Sequence, residues 1–159
     1  MRVAQQRRTE ALQLLREALA LARPTSMAFV GPAICGGMAL AAEQCDARAQ
    51  ALKEGEELLR QACVSHCHLW FYRDAMDATL AASEWAAALH FANALEAYVR
   101  EEPLPWATLF VARTRALVAA GRDGADSSTA AELQRLHEEA RRAHLGSALP
   151  AIDAALARA

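Results

Sequence analysis

Glu10-Ala11-Leu12-Gln13-Leu14-Leu15-Arg16-Glu17-Ala18-Leu19-Ala20-Leu21-Ala22 decides the fold class. Ala11, Leu14, Leu15, Ala18 and Leu21 recur at three- and four-residue spacings, which line one face of an α-helix. Leu12, Leu15 and Leu19 make a second apolar stripe beside the first, and two stripes on one helix need two neighbours. The alanines at 11 and 18 flank a large apolar residue, so a second backbone can approach closely there. Pro24 ends the segment.

The rest of the chain has the same character. Its 159 residues suit one domain with a sizeable core, expected to run through 1–159. Ala, Leu, Glu, Gln and Arg, the strong helix formers, dominate, and aromatic residues make up only 6%. A net charge of −2 gives no field that would attract nucleic acid or an anionic membrane. No segment approaches the roughly 18 to 20 uninterrupted apolar residues of a membrane span, and no signal-peptide core opens the chain. A cytoplasmic protein with four reduced thiols (Cys35, Cys45, Cys63, Cys67) is the resulting expectation.

Further segments repeat the helical spacing. Met27 to Ala42 is apolar on nearly all sides and reads as a buried helix starting near Pro32. Its pair Gly36-Gly37 costs helix propensity unless a neighbouring backbone packs closely. A third helix runs from a cap at Asp46 to about Cys63, with Ala51, Gly55, Leu58 and Ala62 on one stripe. Val64 to His68 reads as a polar break before a helix over Leu69–Ala82. Trp85 to about Arg100 and Trp106 to Ala120 follow, the latter closed by Gly121 as a left-handed cap. Thr129 with Glu132 fits a capping box opening a helix that Gly146 stops, and a short helix follows from Leu149. No segment alternates as a half-buried strand would. About seven helices of similar length leave a closed bundle or an open stack of hairpins.

Small residues at close-approach positions favour the stack. The opening stretch resembles the second helix of a tetratricopeptide unit; Trp85 to Ala92 resembles the same helix start, and Arg113 to Gly121 the end of a first helix and its turn. The fold class predicted is therefore all-α, an open right-handed stack of antiparallel helix hairpins. A more particular resemblance rests on Cys63-Val64-Ser65-His66-Cys67-His68-Leu69-Trp70-Phe71-Tyr72-Arg73-Asp74-Ala75-Met76, with Glu96-Ala97-Tyr98 and Pro103-Leu104-Pro105-Trp106. From about Met27 onward the chain resembles the C-terminal tetratricopeptide-like tail of bacterial signalling proteins that join an adenylate/guanylate cyclase-type domain to an ATPase module. The resemblance implies a sensory or scaffolding tail, present here without the cyclase carboxylates and without a Gly-x-x-x-x-Gly-Lys-Ser/Thr phosphate loop.

Two readings of function follow, neither an enzyme and neither with a cofactor. One is a noncatalytic interaction domain for a protein or peptide partner, with no role for nucleic acid or membrane. Its candidate contact residues are His66, His68, Trp70, Phe71, Arg73 and Asp74, because Trp, Tyr and Arg are enriched in binding hot spots and this helix start carries more aromatics than one buried face can take. The other is a metal- or redox-responsive sensor on Cys63, His66, Cys67 and His68, the only cluster with ligand chemistry. It lacks the usual paired ligands spaced across two elements. The unmatched N-terminal helix is expected to find missing upstream sequence or a second copy, as a two-fold homodimer.

Overall fold

The computed structural model describes residues 7–25, 27–61 and 63–158. Among them every regular element is helical and no strand occurs: α1 (Arg8–Ala22), α2 (Met27–Ala41), α3 (Cys45–Leu59), α4 (Ser65–Ala81), α5 (Trp85–Tyr98), α6 (Pro105–Asp123), α7 (Ser127–Arg142) and, after a 3-10 turn at Gly146–Ala148, α8 (Leu149–Leu156). The described residues thus hold eight α-helices, close to the about seven expected. No helix among the described residues is long and apolar enough to cross a membrane. The chain divides into two compact units, Met1–Thr79 and Leu80–Ala159, with the boundary in the last turn of α4.

In the first unit α1 packs on α2 and α2 on α3. Leu19, Ala22 and Ile34 form the α1–α2 core, with Leu15, Ala18, Met27, Val30 and Met38 against them. Leu15 and Leu19, two members of the stripe expected to seek a second copy, are therefore covered within the chain. The leucines that α1 leaves exposed are Leu14 and Leu21. α2 begins at Met27, ahead of Pro32, which lies inside the helix. An interior proline removes the N–H that would bond the carbonyl four residues earlier, a loss of about 3 kcal/mol or more. That carbonyl, on Ala28, instead accepts the backbone N–H of Val64 at 3.2 Å. Next to it, the Phe29 carbonyl accepts the Cys67 thiol at 2.9 Å. Both bonds tie the start of α4 to the first turns of α2, which is why α4 starts at Ser65 and the expected break at Val64–His68 is mostly helix.

Glycine lets α4 settle on α2 and α3. A Cβ at Gly36 would stand 3.3 Å from the Phe71 Cα and 3.1 Å from the Asp74 Cβ, the backbone approach that the glycine pair called for. Gly37 faces Leu15 instead. At Gly55 in α3 a Cβ would overlap the Phe71 ring, lying 2.9 Å from Cζ. Phe71 is wholly buried. α3 ends at Leu59 with its cap at Arg60, short of the predicted Cys63. Its N-cap is Gln44, so Asp46 lies in the first turn rather than at the cap; Ala62 lies outside the described residues.

The second unit is built on α6, which packs with α5, α7 and α8. Its core holds Ala116, Leu117, Leu133, Leu136, Ile152 and Ala155. Arg113, only 2% exposed, donates from Nε to the Ala148 carbonyl at 2.9 Å and so fixes the 3-10 turn ahead of α8. Gly121 does not cap α6. It lies within the helix, where a Cβ would come within 2.8 Å of Trp85 Cζ2, and Gly124, with φ +82°, takes the left-handed position. The N-cap of α7 is Asp126 rather than Thr129: its carboxylate accepts the Thr129 N–H at 2.7 Å, which holds its pKa below the usual range. The helix ends before Gly146, on His144 at φ +56°. His144 N–H bonds the Arg141 carbonyl and Leu145 N–H the Ala140 carbonyl, a Schellman closure in which a side-chain-bearing residue occupies the glycine position.

Two substitutions test this packing. Gly55→Ala gains helix propensity of about 1 kcal/mol, yet its methyl meets a buried ring that has no room to move. Urea unfolding should show a net loss of about 1 to 3 kcal/mol, and a gain would mean that Phe71 repacks freely. His144→Gly relieves the left-handed strain and should raise stability by about 1 kcal/mol; an unchanged or lowered midpoint would show that His144 sits there without strain.

Candidate functional site

The first turns of α2 and α4, held together by the Val64 and Cys67 bonds, carry a patch of aromatic side chains. The His66 ring stands 5.0 Å from that of Phe29 in an edge-on arrangement and 4.5 Å from that of Trp70. Phe29 is 56% exposed and Trp70 44%, while Val64 beside them is 37% exposed. Large apolar groups left this open on one small area are a feature of recognition surfaces. Along α4 the spacing of four and then three residues places His66, Trp70 and Arg73 on one ridge. At its centre the His66 Nε2 is buried and has no hydrogen-bond partner. Such an atom costs about 1 to 3 kcal/mol relative to a paired one.

The six residues expected to contact a partner separate into three environments. His66, Trp70 and Arg73 share the ridge. His68 lies on another face with Tyr72, ring centroids 6.1 Å apart, and burial lowers its pKa. Phe71 and Asp74 are interior residues, corrected from surface to core, because the helix must present some face to α2 and α3 and the glycines select this one. Arg73 donates from Nε to Asp74 Oδ1 at 2.7 Å. Burial nevertheless pushes the Asp74 carboxyl above its usual range, against the pull of that guanidinium. A raised carboxyl pKa means that the stability this group adds is present below its unfolded pKa and declines as pH rises through the folded one. Phe29 was missed by sequence reasoning: Met27 to Ala42 is so uniformly apolar that its pattern marks no outward face.

The cysteine and histidine cluster is dispersed by the helix itself, since successive residues at 66, 67 and 68 point about 100° apart. Cys67 donates its thiol to the Phe29 carbonyl, and Cys63 donates to the Leu58 carbonyl at 3.0 Å. Burial raises both thiol pKa values, and the neighbouring Cys63 raises that of Cys67 further. Protonated donors of this kind are poor zinc or copper ligands, which bind as thiolates. Among the described residues no group of three His, Cys, Asp or Glu side chains is placed to hold an ion. Cys35, 1% exposed, is pushed up to about 12 by burial.

Thiol reactivity follows from these environments. In the native protein a disulfide reagent should titrate Cys45, the exposed cysteine, rapidly, and reach all four only after denaturation. Rapid native reaction at Cys63 or Cys67 would show that their carbonyl bonds open easily. Comparison with protein-family models, with curated proteins and with solved structures returned no match.

Proposed function

We propose that this chain is a noncatalytic interaction domain that binds a protein or peptide partner through the Phe29–His66–Trp70 patch and the ridge continuing to Arg73. The observation that carries the reading is the exposure of two large aromatic rings on either side of a half-buried histidine. Buried equivalents would stabilise the fold; exposed ones stabilise an association, at about 25 cal/mol per Å² of apolar surface removed from water. Within the first unit α1 packs on α2 and α2 on α3, and within the second α5 packs on α6, α6 on α7 and α7 on α8, which fits tetratricopeptide-like helix hairpins in each unit. The resemblance through Ser65-His66-Cys67-His68-Leu69-Trp70 fits a cytoplasmic scaffolding tail of a bacterial signalling protein. The thiol geometry disfavours the metal- or redox-sensor reading.

Trp70→Ala and Phe29→Ala should each weaken partner binding by roughly tenfold or more, the scale of a hot-spot residue, while the melting point moves little. Phe71→Ala, by contrast, should cost about 3 to 5 kcal/mol of folding stability. The partner is first captured on the immobilised full chain and identified by mass spectrometry; calorimetry on each variant then makes the comparison. Unchanged affinity in both patch variants would remove this site.

A further inference from the structure

We infer that the partner segment docking on this patch is acidic and aromatic: a carboxylate accepts a hydrogen bond from His66 Nε2 while an apolar ring lies against Trp70 and Phe29. The inference rests on reading the patch as the interaction surface, and adds the chemistry of what it takes. The Nε2 atom is the independent observation. It is a polar atom with no protein partner, set beside two rings that are more than a third exposed. In the tautomer with the proton on Nε2 this nitrogen donates and calls for an acceptor.

Charge around the patch selects an anionic acceptor. α2 and α4 both begin here, and neither has an acidic residue in its first turn. Helix starts carry partial positive charge from their unpaired N–H groups, and the ends at this patch receive no carboxylate from their own first turns. The nearest acid on α4, Asp74, is buried and paired with Arg73. A basic segment would therefore meet the positive ends of two helices beside an imidazole, and a purely apolar one would leave Nε2 unbonded. A carboxylate one or two bonds from a ring satisfies the nitrogen and covers the exposed aromatics together.

Phenylacetate, a ring one carbon from a carboxylate, is the probe, and benzyl alcohol the control with the same ring and no charge. With the full chain labelled at histidine and tryptophan nitrogens, phenylacetate should shift the His66 side-chain and Trp70 indole resonances, with binding at least roughly tenfold tighter than benzyl alcohol, the scale of a charge-assisted hydrogen bond. In His66→Phe the phenylacetate advantage should vanish while the variant melts at or above the parent temperature, because an unpaired buried nitrogen has been removed. Equal binding of the two compounds to the parent, or an undiminished preference for phenylacetate in His66→Phe, would overturn the carboxylate. The first result together with loss of both compounds in Trp70→Ala would leave the patch standing; no response of Trp70 or His66 to either compound would take the patch down as well.

Discussion

A single missing hydrogen places the site. Pro32 has no N–H to give to the Ala28 carbonyl, so an acceptor inside an apolar helix is left to be satisfied from outside. Val64 supplies the donor, and three residues later the Cys67 thiol supplies another to the adjacent carbonyl of Phe29. Through these two bonds the residues joining α3 to α4 become a clasp on the first turns of α2. His66, between the clasp points in sequence, is then set against Phe29, and Trp70 follows one turn on. The patch is a consequence of how a proline was accommodated. Had residue 32 carried an N–H, Ala28 would have bonded within its own helix and α4 would have had one fewer reason to start where it does.

The clasp fixes one end of α4, and the glycines fix its rotation. Gly36 admits its backbone and Gly55 admits the Phe71 ring. Once Phe71 points inward, Trp70 lies about 100° away around the helix and stays 44% exposed. The same logic operates in the second unit, where Gly121 makes room for Trp85 and buried Arg113 holds the turn before α8. In both units a residue with no side chain sits opposite an aromatic ring, Gly55 against Phe71 and Gly121 against Trp85. Glycine in a helix is unfavourable by itself, so the packing it permits must exceed about 1 kcal/mol at each position.

Much of this was legible in the residues. Three- and four-residue spacing predicted the helices, and Gly36-Gly37 announced a close approach of backbones. The chain ends of the helices were less legible because each has a local rival. Thr129 with Glu132 matches a capping pattern, but Asp126 lies upstream and reaches the Thr129 N–H first. Gly121 and Gly146 both read as stops, whereas the left-handed turns fall at Gly124 and at His144, whose identity carries little such signal. In Trp70-Phe71-Tyr72-Arg73-Asp74 the sequence shows that not all can be buried without showing which; the answer lies in glycines on two other helices. The stripe Leu12, Leu15, Leu19 was real, but two of its members face Ile34, and what α1 leaves open is Leu14 and Leu21.

The residues that suggested a metal site are dispersed once placed. Cysteine and histidine at 63, 66, 67 and 68 look alike as a ligand set only while their directions are unknown. The helix sends each a different way: Cys67 to a carbonyl of α2, His68 toward Tyr72, His66 into the space between Phe29 and Trp70. Thiols consumed as donors to backbone are held protonated by burial, and they act as structural pins rather than reactive groups. What remains at the patch is the His66 Nε2 nitrogen and two exposed rings. On the proposed reading the rings would supply adhesion and His66 the choice, because a ring surface gives affinity without direction whereas a buried nitrogen bonds only a group of the right kind in the right place.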